Sequence, residues 1–259
     1  MKKIIVSLVL FYLSFSAASS TRITPDVNNP VVALLGASLV DPEASPNNTV
    51  GLTSLNGSSY RGIADYLKAE SINEADGIVY REQAEGGATT NGKNGFLSIL
   101  EQAQRVIEHT TQWSDGTHTK AAVLFRFNDC LHSIAGICEN KRDVLNIPVA
   151  NTLEVIHYLQ SQDILVIVPQ LPSYDDMDLP LLEERFREVV PDFRVATEAQ
   201  YHMLKSTFED EVGKIPGVVM LDIWGGMQHI GDGLHPNHNS KKQAAKKLHQ
   251  HLQHAFKAQ

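Results

Sequence analysis

Five short apolar runs along the chain have the pattern of buried β-strands. They cover residues 31–35, 77–81, 121–127, 164–168 and 218–221. None of them alternates cleanly between apolar and polar positions, which is typical of strands that are covered on both faces. We therefore predict five strands in the interior of the protein.

The segments between these runs carry apolar residues at the helical spacing i, i+3, i+4 and i+7. Pro148 suits the first turn of one predicted helix, and Ser240 suits the N-cap of the last. Strands that alternate with helices in this way predict an α/β fold, with a parallel sheet and helices on both faces. The four sets of apolar positions are Tyr60, Ile63, Ala64 and Leu67; Phe96, Ile99, Leu100, Ala103, Val106 and Ile107; Val149, Leu153, Ile156 and Leu159; and Ala244, Ala245, Leu248, Leu252 and Phe256.

Two long polar connections interrupt the pattern, at residues 41–59 and 171–194. Loops of this length often face a substrate, although an ordinary surface excursion explains each of them at least as well. The chain contains no internal repeat and no linker that would divide it. We expect residues 19–259 to form a single domain.

The first 18 residues have the pattern of a cleavable secretory signal. Lys2 and Lys3 precede an apolar run, residues 4–15, that is too short to span a bilayer. Ser16 and Ala18 then supply small residues at the positions a signal peptidase requires, so we expect cleavage after Ala18. This predicts an exported protein, periplasmic or extracellular, without a transmembrane anchor.

The composition fits a folded, acidic, exported chain. Of its residues 42% are hydrophobic and 20% are charged, and the net charge is −8 before the two signal-sequence lysines are lost. An acidic chain without basic clusters is a poor candidate for binding nucleic acid. The lysines at 241, 242, 246 and 247, and the histidines at 249, 251 and 254, are expected on the solvent-facing side of the last helix.

Two cysteines, Cys130 and Cys138, lie close together in the sequence. An even number of cysteines in an exported protein favours a disulfide, although two buried thiols would fit the same spacing. Asn47 and Asn56 begin glycosylation sequons, which matter only in a host that glycosylates.

The clearest chemical signal is the stretch GDGLHPN at residues 231–237, ahead of the last helix. Asp232 and His235 are three residues apart, as an imidazole base and the carboxylate that orients it could be. Ser38 follows the first predicted strand, where Gly36 allows a tight turn. A serine hydroxyl needs such a base to become a nucleophile, so the three residues form a candidate catalytic set.

A serine nucleophile also needs donors for the negative oxygen that develops during acyl transfer. Gly87 follows the second predicted strand, where a backbone N–H can face a cleft without a side chain in its way. Asn128 follows the third strand and carries an amide donor. Alone, each residue is explained as a turn glycine or a strand-end cap, but their order along the chain favours a shared site.

These residues resemble the motif blocks of the SGNH hydrolases, also called the GDSL esterases and lipases. GASL at 36–39 is similar to the nucleophile block, GGATT at 86–90 to the glycine block and FND at 127–129 to the asparagine block. DGLHPN at 232–237 is the most specific match. The resemblance extends from Val31 to the last helix.

The resemblance implies a flavodoxin-like three-layer α/β/α sandwich with the five-stranded parallel sheet ordered 2-1-3-4-5. It implies ester hydrolysis by Ser38, His235 and Asp232, with the oxyanion held by Ser38, Gly87 and Asn128. It implies no metal and no cofactor, and a partner that is a small-molecule, lipid or glycan ester. The oligomeric state stays open.

Two positions depart from the pattern of the family. Ala37 stands where the family usually has an aspartate, and Arg126 stands two residues before Asn128 where a glycine is usual. Ala37 loses a polar contact that would fix the nucleophile turn. Arg126 either brings a cation near the cleft or points outward, and both departures bear on substrate class rather than on the mechanism.

The sequence leaves three other readings open. The main expectation is a secreted serine esterase or lipase, and a polysaccharide O-acetyl esterase of the same fold is the first alternative. A non-catalytic binding protein on this fold is the second. A metal site formed by His229, Asp232, His235 and His238 is the third, and it is disfavoured because no helical metal-binding motif accompanies these residues.

Overall fold

A five-stranded, all-parallel sheet forms the centre of the protein, with the strand order β2-β1-β3-β4-β5. The computed structural model describes residues 29–40, 61–111 and 118–257. The order confirms the three-layer α/β/α arrangement that the resemblance implies. The strands are β1 (Val31–Leu35), β2 (Val79–Glu82), β3 (Thr119–Leu124), β4 (Leu165–Pro169) and β5 (Val218–Leu221).

Several sequence-based predictions fall outside these described residues. They concern the secretory signal, the sequons at Asn47 and Asn56, and the polar connection 41–59. Within the described residues, no helix is long and apolar enough to cross a membrane.

Two of the five strands have the predicted bounds, and the other three differ from the predicted runs by one to three residues at each end. β1 and β5 have the predicted bounds, whereas the run 121–127 becomes a strand that ends at Leu124. Phe125 and Phe127 lie beyond β3 but are only 1% and 6% exposed, which explains why the sequence pattern includes them in the predicted strand. An apolar run therefore shows which residues are buried but not where the strand ends.

Helices cover both faces of the sheet, as predicted. The face of β1 that carries Val32 and Leu34 packs with α1 and α7, and the face that carries Ala33 and Leu35 packs with α2 and α4. The helices of the described residues are α1 (Ile63–Glu74), α2 (Ile99–Thr111), α3 (Lys141–Val144), α4 (Ala150–Gln160), α5 (Leu179–Arg187), α6 (Glu198–Val212) and α7 (His238–Lys257).

The helix around Pro148 begins earlier than predicted. Asn140 caps α3 by accepting hydrogen bonds from the backbone N–H groups of Arg142 and Asp143. A π-helical segment, Leu145–Val149, then joins α3 to α4 and contains Pro148. The prediction that Pro148 stands in a first helical turn is therefore wrong. Since proline has no N–H to donate, the irregular turn coincides with the residue that could not continue regular helix bonding.

The last helix also begins earlier, and Ser240 is not its cap. The side-chain oxygen of Asn237 accepts a hydrogen bond of 2.9 Å from the Ser240 N–H, as an N-cap residue does. The Ser240 hydroxyl instead accepts from the Gln228 N–H at 2.8 Å. Ser240 therefore ties the helix to the loop that precedes it.

The segment 171–194 is more ordered than a loop. It contains a short 3-10 turn, Tyr174–Asp176, and helix α5, which Asp178 caps through a hydrogen bond from the Leu181 N–H. The Asp178 N–H donates to the Gly233 carbonyl at 2.8 Å. This segment therefore packs directly against the loop that carries Asp232 and His235.

One histidine of α7 lies inside the protein, contrary to the expectation that its histidines face solvent. His249 is 1% exposed; its Nδ1 lies 2.7 Å from the Tyr80 hydroxyl and its Nε2 3.0 Å from Asp76. Burial raises the pKa of Tyr80 above its ordinary value, so the hydroxyl keeps its proton and donates it to Nδ1. The buried imidazole thus links β2 to the turn before it.

Candidate active site

Ser38 lies in the turn that follows β1, at the carboxyl edge of the sheet. Gly36 makes this turn possible, because its φ of +152° is a conformation that residues with a side chain rarely adopt. A Cβ at Gly36 would lie 2.9 Å from the Cβ of Phe125. The Val40 N–H closes the turn on the Ala37 carbonyl at 2.9 Å. Ser38 is partly exposed while its neighbours Ala37 and Leu39 are buried.

Asp232 and His235 lie on the loop between β5 and α7, not on a helical turn. The loop is closed by hydrogen bonds from the Ile230 N–H to the His235 carbonyl, 2.9 Å, and from the Asn237 N–H to the Gln228 carbonyl, 2.7 Å. Asp232 and His235 are 2% and 4% exposed. The spacing of three residues therefore brings them together through a closed loop.

The three candidate catalytic residues form one chain of hydrogen bonds. The Ser38 Oγ lies 2.8 Å from the His235 Nε2, and the His235 Nδ1 lies 2.6 Å from the Asp232 Oδ2. A carboxylate can only accept, so Nδ1 carries the proton and Nε2 is left to accept from the serine hydroxyl. This is the arrangement in which an imidazole can take a proton from a serine.

Asp232 is held as a carboxylate by its surroundings. Burial acts to raise its pKa, but the His235 ring and the backbone N–H groups of Leu234 and His235 act against burial, and the pKa is lowered overall. These two N–H groups donate to Oδ1 at 3.0 and 2.9 Å. Both oxygens of the acid are therefore engaged, one by the loop backbone and the other by the imidazole.

The two candidate oxyanion residues lie at the ends of the strands that flank β1. Gly87 is exposed, with a φ of +94°, in the loop after β2. Asn128, after β3, is 5% exposed and donates to the Ala88 carbonyl through its backbone N–H and its side-chain amide, both at 3.1 Å. The Asn128 amide thus bonds to Ala88, the residue that follows Gly87, and no described residue accepts from its second N–H. A role in catalysis for either residue stays a prediction.

A buried carboxylate fixes the two flanking loops to each other. Asp129 accepts hydrogen bonds from the Thr90 N–H at 2.7 Å and from the Thr90 hydroxyl at 2.9 Å. Burial nonetheless raises the pKa of Asp129. Asn151 on α4 donates to the Thr90 hydroxyl oxygen at 2.9 Å. These contacts hold the loops of Gly87 and Asn128 at a constant separation.

The two departures from the family pattern have different surroundings. Ala37 is buried in the apolar core between the sheet and α2. Arg126 points inward, with its Nη1 3.8 Å from the Met177 sulfur, and it interacts with the Tyr201 hydroxyl group. The cation therefore contacts the segment 171–194 and α6, and Arg126 is partly buried.

The predicted disulfide between Cys130 and Cys138 is present. It closes a loop that begins two residues after Asn128, and the Leu131 N–H donates to the Asn128 carbonyl at 3.2 Å. The same loop is attached to the residues before α6, because the Ser133 N–H donates to the Arg194 carbonyl at 2.8 Å.

A second histidine, His132, lies on the disulfide loop near His235. Its Nδ1 accepts from the Ala135 N–H at 3.3 Å, and its ring packs on Phe193 with 5.3 Å between centroids. Burial, together with the nearby charges of Arg126 and His235, lowers the pKa of His132 to about 4. No sequence motif marked this residue.

The lowered pKa of His132 predicts a loss of stability in acid. The imidazole of His132 binds a proton below about pH 6.5 in the unfolded chain but only below about pH 4 in the folded protein. The free energy of unfolding should therefore fall by about 1–3 kcal/mol over that range through this residue. Thermal unfolding of His132→Gln at pH 7 and pH 4.5 should show a smaller difference than the wild type.

The exposed His202 on α6 provides the matched control for that measurement. His202→Gln should keep the acid sensitivity of the wild type. An equal sensitivity in His132→Gln and the wild type would contradict the assignment.

One lysine of α7 is buried beside the site, which corrects the expectation that it faces solvent. Lys241 is 3% exposed, and its Nζ donates to the Arg61 carbonyl at 2.7 Å and lies 5.4 Å from the Tyr66 ring centroid. Burial lowers its pKa to about 8, although Asp65 and Asp232 act in the opposite direction. Lys242, Lys246 and Lys247 are exposed, as expected.

The residues considered as metal ligands have other partners. The His229 Nδ1 accepts from the backbone N–H groups of Gly231 and Gly233 at 3.1 and 3.2 Å, and the His238 Nδ1 lies 2.9 Å from the Tyr66 hydroxyl. Asp232 and His235 engage each other. Across residues 29–40, 61–111 and 118–257, no group of three or more histidine, cysteine or acidic side chains could hold a metal ion.

Solved structures of hydrolases share this fold at low sequence identity. A carbohydrate acetylesterase from Sinorhizobium meliloti is 11% identical, over 88% of this chain and 100% of that one, with a TM-score of 0.60. A protein from Slackia heliotrinireducens assigned to the SGNH hydrolases is 13% identical over 87% and 100% of the chains, with a TM-score of 0.51. A GDSL-like lipase from Bacteroides thetaiotaomicron is 14% identical over 87% and 88%, with a TM-score of 0.50.

Sequence comparison alone finds no relative. No protein-family model matches the chain, and no curated protein sequence matches it. The three solved structures, and not any sequence match, establish that the chain has the fold of the SGNH hydrolases.

Proposed function

We propose that this chain, which has the fold of the SGNH hydrolases, is an exported serine esterase that hydrolyses carboxylic esters. The observation that carries the proposal is the hydrogen-bonded series Ser38–His235–Asp232, with 2.8 Å and 2.6 Å between the paired atoms. The nucleophile comes from the turn after β1, whereas its base and the group that orients the base come from one loop much later in the sequence, with 197 positions between Ser38 and His235. A contact between a partly exposed serine and a buried imidazole is not needed to fold the protein or to stabilise it, so we interpret it as catalytic.

The first half of the reaction acylates the serine. The Ser38 oxygen attacks the ester carbonyl carbon while the His235 Nε2 takes the hydroxyl proton, and the carbonyl electron pair moves onto oxygen. Asp232 stabilises the imidazolium that results. The tetrahedral intermediate then collapses: the bond to the alcohol oxygen breaks, and His235 gives its proton to the departing alcohol.

The second half releases the acid. Water occupies the place of the alcohol, His235 removes a proton from it, and the hydroxide oxygen adds to the acyl carbon. The bond to the Ser38 oxygen breaks as His235 returns the proton to it. No redox step or external group is needed, because both halves only move protons and one acyl group.

Three donors are proposed to hold the oxyanion: the backbone N–H groups of Ser38 and Gly87, and the side-chain amide of Asn128. The amide is already oriented, since one of its N–H groups is fixed on the Ala88 carbonyl at 3.1 Å. Losing one such donor costs about a hundredfold or more in rate.

The proposal is tested directly by measuring hydrolysis of p-nitrophenyl esters by the purified protein and labelling by a serine-directed fluorophosphonate. Labelling at Ser38 together with ester turnover would support it. A protein that is folded but neither labelled nor active would contradict it. The second outcome would favour the alternative that the fold serves only to bind.

Acyl-chain length separates the two kinds of ester substrate that remain within this proposal. The structural similarity to a carbohydrate acetylesterase supports an O-acetylated glycan as a candidate substrate, in addition to a lipid ester. Comparing p-nitrophenyl acetate with the octanoate measures the preference. The disulfide supports export, because such bonds persist in oxidising compartments.

The disulfide is expected to keep the Asn128 donor in position. Because the bridge closes the loop that begins two residues after Asn128, reduction should lower kcat by about fivefold to tenfold through the oxyanion donor. The measurement is ester turnover before and after complete reduction, with the free thiols counted. Cys130→Ser with Cys138→Ser should reproduce the loss, and unchanged turnover after verified reduction would contradict this role.

A further inference from the structure

A buried glutamine on α2 holds the residue two positions before the nucleophile. The Gly36 N–H donates to the Gln102 Oε1 at 2.9 Å, and the Gln102 Nε2 donates to the Gly36 carbonyl at 3.1 Å. Gln102 is 0% exposed. One amide side chain thus satisfies both backbone groups of Gly36, as a neighbouring strand would do in the sheet.

The same glycine joins the nucleophile turn to the loop of Gly87. The Gly36 carbonyl accepts a second hydrogen bond, of 3.2 Å, from the Glu85 N–H, and Glu85 lies two residues before Gly87. Both lone pairs of this carbonyl are therefore occupied. Displacing Gln102 would disturb a single atom on which two parts of the site depend.

The start of α2 is fixed to the Gly87 loop as well. The Leu97 N–H donates to the Glu85 carboxylate at 2.7 Å, and the Ile99 N–H donates to the Thr90 carbonyl at 3.1 Å. Helix α2 consequently carries Gln102 at a fixed distance from both loops. The Gln102 Nε2 also lies 3.5 Å from the Leu97 carbonyl just before the helix, a longer contact than its two hydrogen bonds to Gly36.

We propose that Gln102 is a positioning residue for the nucleophile, which holds the turn of Ser38 within reach of His235 and the Gly87 loop at the same time. The inference rests on the proposed esterase function. It also accounts for Ala37: the polar contact that an aspartate before the serine would supply is absent, and Gln102 fixes the turn from the helix instead. Its effect passes through Gly36 and Ser38, not through contact with the substrate.

The direct test removes both hydrogen bonds between Gln102 and Gly36 with little change in side-chain volume. Gln102→Leu should lower kcat by about tenfold to a hundredfold and change KM less than about twofold, because misplacement of the nucleophile affects the chemical step. The rate of fluorophosphonate labelling of Ser38 should fall by a similar factor. Gln104→Leu, on the same helix, is the matched control and should stay within about twofold of the wild type.

A second variant gives a signature that loss of packing would not produce. In Gln102→Glu, a protonated carboxyl can accept from the Gly36 N–H and donate to its carbonyl, whereas an ionised one can only accept. The ratio of variant to wild-type rate should therefore be near one at pH 5.5 and fall by about tenfold by pH 8. Glu85, Glu101 and His235 are present in both proteins, so the ratio of the two rates cancels the effect of their protonation.

The outcomes separate this inference from the function on which it rests. Two results together would overturn the inference and leave the esterase proposal intact. The fluorophosphonate would label the wild type and Gln102→Leu at equal rates, and the ratio of the Gln102→Glu rate to the wild-type rate would not change with pH. A folded wild type without labelling or turnover would overturn both. If Gln102→Leu does not fold, the pH ratio of Gln102→Glu decides alone.

Discussion

Replacing Ser38 by alanine is expected to lower the hydrolysis of p-nitrophenyl acetate by about 10⁴-fold or more, to a rate near that of the buffer. The variant keeps the imidazole and the acid but has no oxygen to attack the ester. The protein should stay folded, because Ser38 is partly exposed and, among residues 29–40, 61–111 and 118–257, its hydroxyl bonds to the His235 Nε2 alone, at 2.8 Å. The measurement is turnover together with a thermal unfolding curve.

Labelling with a fluorophosphonate distinguishes a lost nucleophile from a damaged fold. The wild type should be labelled at Ser38, and Ser38→Ala should not be labelled at all. Ser206→Ala provides a control, since Ser206 is an exposed serine of α6 whose hydroxyl donates to the Met203 carbonyl of the same helix. Esterase rates in Ser38→Ala that equal those of the wild type would mean that another residue performs the attack.

The parts of the fold that the sequence predicts are those that depend on burial alone. β1 and β5 have their predicted bounds, because their apolar runs end where the ladder ends. The carboxyl ends of neighbouring parallel strands meet at one edge, so Ser38, Gly87 and Asn128 could be expected there before any distance was known. The 2.8 Å approach of His235 to Ser38 needed the closed loop 228–237, which no periodicity describes.

The residues that the sequence did not reveal are polar side chains inside the protein. Gln102 lies on the same buried helical face as Ile99 and Ala103. A polar residue among apolar positions of a predicted helix indicates a buried side chain with a hydrogen-bond partner. His249 and Lys241 lie on a helix with many exposed charges, so composition favoured solvent for them. Their partners, Tyr80 and the Arg61 carbonyl, come from other elements and leave no local trace in the sequence.

Replacing Asp232 by asparagine is expected to lower kcat by about 10³- to 10⁴-fold with little change in KM. The Asp232 Oδ2 lies 2.6 Å from the His235 Nδ1, and an amide nitrogen placed there would donate to that atom. The imidazole would then carry its proton on Nε2 and could not accept one from Ser38. The amide oxygen could still accept from the Leu234 and His235 N–H groups, so the loop should keep its shape.

Asp222 provides a control that isolates the imidazole contact from the backbone contacts. Its Oδ1 accepts from the N–H groups of Trp224 and Gly225 at 3.1 and 3.0 Å, the same local pattern that Asp232 makes, but in a loop without the catalytic imidazole. Asp222→Asn should leave kcat within about twofold of the wild type. Equal losses in the two variants would mean that turnover depends on loop closure and not on the tautomer of His235.

The acid dependence of stability adds an independent measure of the same interaction. The pKa of Asp232 is lowered in the folded protein, so its contribution to stability is present above the ordinary pKa of an aspartate and is lost as the pH falls through the folded value. The difference in unfolding free energy between the wild type and Asp232→Asn should therefore be largest near neutral pH and shrink in acid. A difference that stays constant from pH 7 to pH 3 would show that the ionised carboxylate is not what His235 contacts, and the proposed base would then lack its orienting partner.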